Sequence, residues 1–142
     1  MKVLMGILAA MFASPLWAED AGPETLQLGQ SIYAANCAAC HGANLQGQPD
    51  WKHRLATGRM PAPPHDATGH TWHHSDRDLF NLTKLGVAAV VGDGYESDMP
   101  AFGDKLSDDQ IKAVLAYIES TWPPGVRASQ KAITAADEAA QK

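Results

Sequence analysis

The sequence predicts an all-α domain, a bundle of three to four helices, and three observations support this prediction. First, apolar residues recur with helical spacing in three segments that also carry helix start or stop signals. Second, no segment alternates convincingly as a strand, and residues 87–91 are too few to build a sheet. Third, one connecting segment is 33 residues long, which in a compact domain indicates either a wrong element assignment or something large for the chain to wrap around.

The first two predicted helices flank this long segment. The first runs toward Cys37, and its apolar residues share one face: Leu28, Ile32 and Ala35. The second begins after Ser75, because Asp78 three residues later resembles a capping box, and Gly86 is a typical stop. Its apolar side is formed by Leu79, Phe80 and Leu82. Both helices therefore have one face suited to a shared core.

The third predicted helix has the clearest pattern. Ser107 and Gln110 form a capping box, and Pro123 and Pro124 end the helix. Its apolar residues recur at i, i+3, i+4 and i+7: Ile111, Val114, Leu115 and Ile118. The tail, residues 125–142, lacks a wide apolar face and is predicted to be peripheral. The folded domain is accordingly predicted to span residues 19–124.

The long segment, residues 42–74, contains four glycines and four prolines. One short helix is predicted within it, near residues 51–56. Three helices and two long loops bury too little apolar surface to be stable alone, since a small domain depends on every part of its core. The sequence therefore predicts a cofactor in the middle of the bundle.

Residues 1–18 are predicted to be a secretory signal peptide. Lys2 is followed by a charge-free stretch of 16 residues, and Ala18 marks the expected cleavage point. Leu16, three residues before that cut, is larger than usual. The alternative is an uncleaved anchor, but the stretch is shorter than the ~20 residues of a spanning helix and Pro15 interrupts it. The predicted location is periplasmic, with membrane association only if the segment stays uncleaved.

Composition excludes several classes of function. The 142-residue chain has a net charge of −5 and no basic block, which argues against a nucleic-acid partner. The predicted mature chain has 10 Lys+Arg against 16 Asp+Glu, a net charge of −6, so any protein partner is expected to carry a basic patch. Two cysteines cannot form a disulfide-rich scaffold or a four-thiolate metal site. No glycine-rich phosphate-binding motif is present.

The cofactor is indicated by Cys37-Ala38-Ala39-Cys40-His41. C-x-x-C-H is the attachment signature of c-type haem, in which two thiols bind the vinyl groups and the histidine binds the iron. A thioredoxin-like pair would require a βαβ context, and a zinc site would need further ligands at short spacing. A plain disulfide would leave His41 and the long loops unexplained. The prediction is one covalently bound haem c, with Cys37 and Cys40 as attachment sites and His41 as an axial ligand.

Residues 25–122 resemble a monohaem class I cytochrome c of the exported bacterial type. Gly29 and Tyr33 precede Cys37 where that family has a glycine and an aromatic residue on its first helix. Tyr117 occupies the place of the aromatic residue on the last helix that packs across the first. The segment from Gly69 to His74, followed by Leu79 and Phe80, resembles a subgroup of such cytochromes. The resemblance implies a helical bundle wrapped around the haem, and redox proteins as electron donor and acceptor.

The sixth iron ligand decides between an electron carrier and an enzyme. Met99-Pro100-Ala101-Phe102 resembles the family's methionine-ligand loop, and Met60 is the other methionine of the predicted mature chain. Met99 is predicted as the ligand, because it follows the second helix and lies shortly before the last one. Histidine and methionine together fill both axial positions, which suits electron transfer rather than catalysis. The alternatives are an electron-transfer subunit of a dehydrogenase or oxidase, and a haem enzyme or gas sensor with an open sixth site.

Five of the six histidines lie in the long segment: His53, His65, His70, His73 and His74. A copper or zinc site is one interpretation, but no carboxylate or thiolate completes a recognisable pattern. Covering the haem, binding its propionates or facing water is the favoured interpretation. Trp51 and Trp72 could each present an indole N–H to a propionate, and each could equally be a core residue.

Overall fold

The computed structural model describes residues 21–142, so the predicted signal peptide lies outside the described residues. This part of the chain forms six helices: α1 Pro23–Asn36, α2 Ala38–His41, α3 Asp76–Leu85, α4 Val87–Val91, α5 Asp108–Ser120 and α6 Pro124–Ala140. A single 3-10 turn, Thr71–His73, precedes α3. Residues 21–142 contain no β-strand, and the predicted all-α class is confirmed. Two of the helices, α2 and α4, are only four and five residues long.

The predicted helix ends are present in the structure. Ser107 Oγ accepts a hydrogen bond from the backbone N–H of Gln110, and Gln110 Oε1 accepts from the backbone N–H of Ser107, which completes the capping box. Ser75 Oγ accepts from the backbone N–H of Asp78 at the start of α3. Gly86 ends α3 with a φ of 84°, a conformation that glycine adopts without steric cost. These local signals therefore set the registers of α3 and α5.

The centre of the fold is the contact between α1 and α5. Gly29 of α1 lies against the backbone of α5, so close that a Cβ there would lie 2.1 Å from the carbonyl oxygen of Ala113. The side chains of Tyr33 and Tyr117 meet beside this contact, with ring centroids 5.7 Å apart. The four apolar residues of α5 that the helical spacing predicts are all buried: Ile111, Val114, Leu115 and Ile118. The glycine permits the close approach and the aromatic pair fills the space beside it.

Residues 124–140, most of the segment predicted as a peripheral tail, form the longest of the described helices. Its contacts with the start of α3 are mainly polar. The side chain of Gln130 is buried and donates to Asp76 Oδ1, and Thr134 Oγ1 accepts from the backbone N–H of Asp76. Arg77 donates two hydrogen bonds to the carboxylate of Asp137. The docking of α6 therefore needs no wide apolar face, and the domain boundary at residue 124 stays a prediction.

A buried carboxyl group lies at this junction. Glu119 of α5 is 5% exposed and faces Asp76. Burial, and then the negative charge of Asp76, raises the pKa of Glu119 to about 8. Glu119 therefore carries a proton at neutral pH.

The long segment between α2 and the 3-10 turn is irregular. The prediction of a short helix near residues 51–56 is wrong, since these residues form turns. Asp50, at the start of this stretch, has a φ of 52°, which a continuous right-handed helix does not allow. Hydrogen bonds to residues 45–48 hold the segment in place. The backbone N–H of Gln48 donates to Ala62 O, Gln48 Oε1 accepts from Ala62 N, and Leu45 O accepts from His65 N. The segment is therefore an irregular loop that passes across one side of the bundle and is held there by hydrogen bonds.

Candidate haem site

The two cysteines lie on one helical turn. Cys37 ends α1, and its carbonyl oxygen accepts hydrogen bonds from the backbone N–H groups of Cys40 and His41, at 3.1 and 2.9 Å. Residues three apart on such a turn point to the same side of the helix. Both thiols are free, and that of Cys40 is exposed. Burial raises the pKa of Cys37 to about 11, so this sulfur is protonated at neutral pH. The pair is suited to attachment along one edge of a flat group.

The ring of His41 is oriented by the backbone. His41 is 6% exposed, and its Nδ1 donates to the carbonyl oxygen of Pro63 at 2.8 Å. Because a carbonyl can only accept, the proton is on Nδ1 and the lone pair is on Nε2. Burial lowers the pKa of His41, which keeps the ring neutral. A neutral imidazole whose second nitrogen is fixed by a hydrogen bond is the form that binds a metal.

A second histidine packs against this ring. His65 lies parallel to His41, with ring centroids 3.9 Å apart, and its Nδ1 is 2.9 Å from Thr71 Oγ1. Burial lowers the pKa of His65 to about 3. The indole N–H of Trp122 donates to the backbone carbonyl of His65 at 2.7 Å, which holds the second ring from the far end of the chain. The sequence gives no signal for this stack.

The other loop histidines contact neighbouring rings. His70 stacks on Trp51 and meets the ring of His74 edge-on, with centroids 5.6 Å apart, and His73 stacks on Trp72. Within residues 21–142, no group of three or more His, Cys, Asp or Glu side chains is placed to hold a metal ion. The contacts found for these histidines are with aromatic rings.

One polar atom in this region has no partner. Trp72 Nε1 is buried and finds no hydrogen-bond acceptor among the described residues, whereas the ring of Trp72 packs against the buried core. An unpaired buried donor costs about 1–3 kcal/mol, so it implies an acceptor that protein atoms do not supply. A haem propionate is an acceptor of this kind. With the two free thiols and the oriented His41, this donor shows that the residues fit a haem.

Met99 and Met60 are both partly buried. Met99 packs against the buried core, and its backbone N–H donates to Ser97 Oγ at 3.1 Å. On the far side of Met99, Phe102 is buried and its backbone N–H donates to the carbonyl of Thr83 in α3. The chain after Met99 is therefore anchored to α3, which helps to hold a weak thioether ligand in place.

The described residues form an all-helical domain in which two thiols lie on one helical turn beside a buried, neutral imidazole. This arrangement is typical of domains that carry covalently bound haem. The chain belongs to the cytochrome c family. The family model described as Cytochrome c matches residues 26–122, which include α1, the attachment turn, the long segment and α5. The family has an electron-transfer role and binds haem c covalently, and the two cysteines fit one attachment motif.

Three relatives show the range of proteins that contain this domain. Cytochrome c6 of Picosynechococcus sp. is 36% identical over 121 residues, which cover 83% of this chain and 89% of that protein. The cbb3-type cytochrome c oxidase subunit CcoP of Azospirillum brasilense is 33% identical over 92 residues, 65% of this chain and 27% of the subunit. The gluconate 2-dehydrogenase cytochrome c subunit of Pantoea cypripedii is 30% identical over 132 residues, 89% of this chain and 26% of the subunit. The chain thus spans about a quarter of the oxidase and dehydrogenase subunits.

No solved structure matches this chain. Across residues 21–142, no helix is both long enough and apolar enough to cross a membrane.

Proposed function

We propose that the protein is a periplasmic carrier of single electrons with one haem c, bound through Cys37 and Cys40 and ligated by His41 and Met99. The observation that carries this proposal is the buried, neutral His41, whose Nδ1 is fixed by Pro63 and whose Nε2 is left to bind iron. When bound, haem c supplies an iron centre that gains and loses one electron.

The residues around this site have separate tasks. The attachment turn fixes the position of the porphyrin edge, and the Pro63 carbonyl fixes the rotation of the His41 ring. The indole N–H of Trp72 supplies a donor for a propionate. With His41 and Met99 both bound, the iron would have no open site for small oxidants, which suits electron transfer. Such a site transfers electrons with little rearrangement.

Substitution of the two methionines tests the ligand assignment. Met99→Ala should remove the sulfur-to-iron charge-transfer band of the ferric protein and lower its reduction potential, because a thioether ligand raises it. Met60→Ala is the matched control, since Met60 is also followed by Pro and Ala, and should leave both nearly unchanged. Loss of the band only with Met60→Ala would refute the assignment. Carbon monoxide binding to the ferrous wild-type protein would instead favour an enzyme or sensor.

Export and haem number are tested together by the intact mass of the protein from a periplasmic extract. We expect a chain that begins at Glu19 and carries one covalent haem. A mass that retains residues 1–18 would contradict cleavage and favour a membrane anchor.

A second candidate is an electron-transfer subunit of a dehydrogenase or oxidase, which the matches to CcoP and to the gluconate 2-dehydrogenase subunit favour. Size-exclusion chromatography of a periplasmic extract, followed by haem absorbance, separates the two. A free carrier should elute near its monomer size. Elution with a larger complex would favour the subunit.

The net charge indicates the charge that we expect on the docking surface of a partner. Of the three cations that could make the surface locally basic, Lys84 pairs with Asp108 at 2.7 Å and Arg77 pairs with Asp137, while Lys105 is exposed. These pairs reduce the local positive charge, so the acidic character of the mature chain should dominate. We propose a partner with a basic docking patch, and we expect electron transfer with a cationic reagent to slow as ionic strength rises.

A further inference from the structure

An ion pair connects the two residues that directly precede the Met-Pro-Ala sequences of the predicted mature chain. Arg59 directly precedes Met60, and Asp98 directly precedes Met99. Arg59 Nη1 lies 2.5 Å from Asp98 Oδ1, and Arg59 Nε lies 3.8 Å from Glu96 Oε2. One guanidinium therefore contacts two carboxylates in the three residues that lead into Met99.

The arginine is presented by a closed turn. The backbone N–H of Leu55 donates to the carbonyl of Arg59 at 2.9 Å, and Arg54 Nη1 donates to the carbonyl of Gly58 at 2.7 Å. The Arg54 guanidinium also lies 5.9 Å from the ring centroid of Tyr95. Two arginines of residues 54–59 thus contact residues 95–98, and we call this contact the arginine clamp.

The segment that the arginine clamp contacts lacks regular structure. Residues 92–98 contain only a turn at residues 93–94 and a bend at residue 98, and Gly92, Asp93 and Gly94 all have positive φ. After Met99, hydrogen bonds from Phe102 and Gly103 to the carbonyls of α3 fix the chain. Before Met99, the arginine clamp connects residues 95–98 to another part of the described chain. The position of the Met99 sulfur therefore depends on an anchor at each end.

We propose that Arg59 is a positioning residue for Met99, and that its ion pairs with Asp98 and Glu96 keep the thioether on the iron against competing ligands. This inference rests on the proposed function, because it requires Met99 to be the ligand. It assigns a role to a residue 18 positions after His41, in the segment where the sequence shows only a Gly/Pro-rich loop.

The expected effect is moderate. The Arg59 side chain is 39% exposed and the carboxylates of Asp98 and Glu96 are 57% and 67% exposed, so solvent screens each pair. Exposed ion pairs contribute little to the free energy of unfolding of the whole domain. Here, however, both pairs hold the same loop, so their contribution bears directly on the position of Met99. We expect the affinity of a competing ligand to change by about three- to tenfold.

Imidazole binding to the ferric haem-loaded protein tests the proposal. Imidazole displaces the methionine, so its dissociation constant reports how firmly Met99 is held, and loss of the charge-transfer band follows the reaction. Arg59→Gln should lower this dissociation constant by about three- to tenfold at low ionic strength. Arg77→Gln is the matched control: Arg77 forms comparable pairs, but with Asp78 within α3 and with Asp137 of α6. This control should leave imidazole affinity unchanged.

Two further measurements separate positioning from general stability. Arg59→Glu combined with Asp98→Arg restores the opposite charges and should recover most of the wild-type imidazole affinity. Added salt should weaken methionine retention in the wild type and have less effect in Arg59→Gln. Suppose that Met99→Ala removes the charge-transfer band, but Arg59→Gln and Arg77→Gln bind imidazole with equal affinity. The positioning role of Arg59 would then be refuted, and Met99 would remain the ligand. Retention of the band in Met99→Ala would overturn the ligand assignment and the clamp with it.

Discussion

Substitution of Gly29 by alanine should force α1 and α5 apart. A Cβ at this position would lie 2.1 Å from the carbonyl oxygen of Ala113 and 2.8 Å from the Cβ of Tyr117. Carbon and carbonyl oxygen atoms normally approach no closer than about 3.3 Å, so the helices must separate by roughly 1 Å at their crossing. The opposing atoms include helix backbone, which cannot rotate away as a flexible side chain can.

The magnitude follows from two opposing effects. Overpacking of a close contact costs about 1–3 kcal/mol, and more where backbone must move. Alanine in place of glycine in a helix gains about 1 kcal/mol. Because the clash involves the backbone of α5, we expect a net loss of about 2 kcal/mol in the free energy of unfolding. For a domain of this size that corresponds to a fall of roughly 5–15 °C in Tm.

The assay is denaturant unfolding of the haem-loaded protein, followed by circular dichroism and by haem absorbance. Gly125→Ala is the matched control, because Gly125 lies in the first turn of α6 and a Cβ there would meet no atom within 4 Å. The control should be as stable as the wild type or slightly more stable. If Gly29→Ala matched Gly125→Ala in stability, the close approach of α1 and α5 would not be a real constraint on the fold.

Three other predictions concern the buried polar groups and the attachment site. Because Glu119 keeps its proton up to a pKa of about 8, while the unfolded chain loses it near 4.5, the wild-type free energy of unfolding should fall as pH rises between these values. Glu119→Gln should flatten this pH dependence and raise the free energy of unfolding by about 2 kcal/mol at pH 8. Urea unfolding at several pH values measures both effects, and an unchanged slope would contradict the prediction. Trp72→Phe should destabilise the haem-loaded protein by about 1 kcal/mol in the same assay, whereas a neutral or stabilising result would mean that the indole N–H has no acceptor even beside the haem. Replacement of both Cys37 and Cys40 by alanine should abolish covalent haem in denaturing gels and leave a poorly folded chain, and a well-folded haem-free variant would contradict the need for a central cofactor.

The features that the sequence predicted well depend on neighbouring residues. The capping box of Ser107 and Gln110 and the stop at Gly86 are local in the chain, and the structure contains both. The predicted short helix near residues 51–56 does not form, because these residues have no strong local preference. The turn that includes them is held by Arg54 and Arg59, which contact residues 95–98.

The features that the sequence did not reveal join distant residues. The hydrogen bond from His41 reaches 22 residues along the chain to a backbone carbonyl, which has no sequence signature at all. Arg59 and Asp98 are 39 residues apart, and charged residues on exposed loops rarely indicate their partners. The polar docking of α6 was not predicted because the search for an apolar face overlooks contacts such as those of Gln130. Only the folded chain brings these groups together.

The acceptor that orients His41 is part of the main chain, and this protects the site against mutation. No exchange of a side chain can delete a carbonyl oxygen, so the ring orientation survives any substitution at residue 63 that preserves the path of the backbone. The vulnerable positions are instead two glycines that touch the neighbouring Pro64. A Cβ at Gly69 would lie 2.0 Å from the Pro64 carbonyl oxygen, and one at Gly47 would lie 2.4 Å from the Pro64 nitrogen. Variants that disturb the orientation of the His41 ring should therefore cluster at residues 47 and 69 rather than at residue 63.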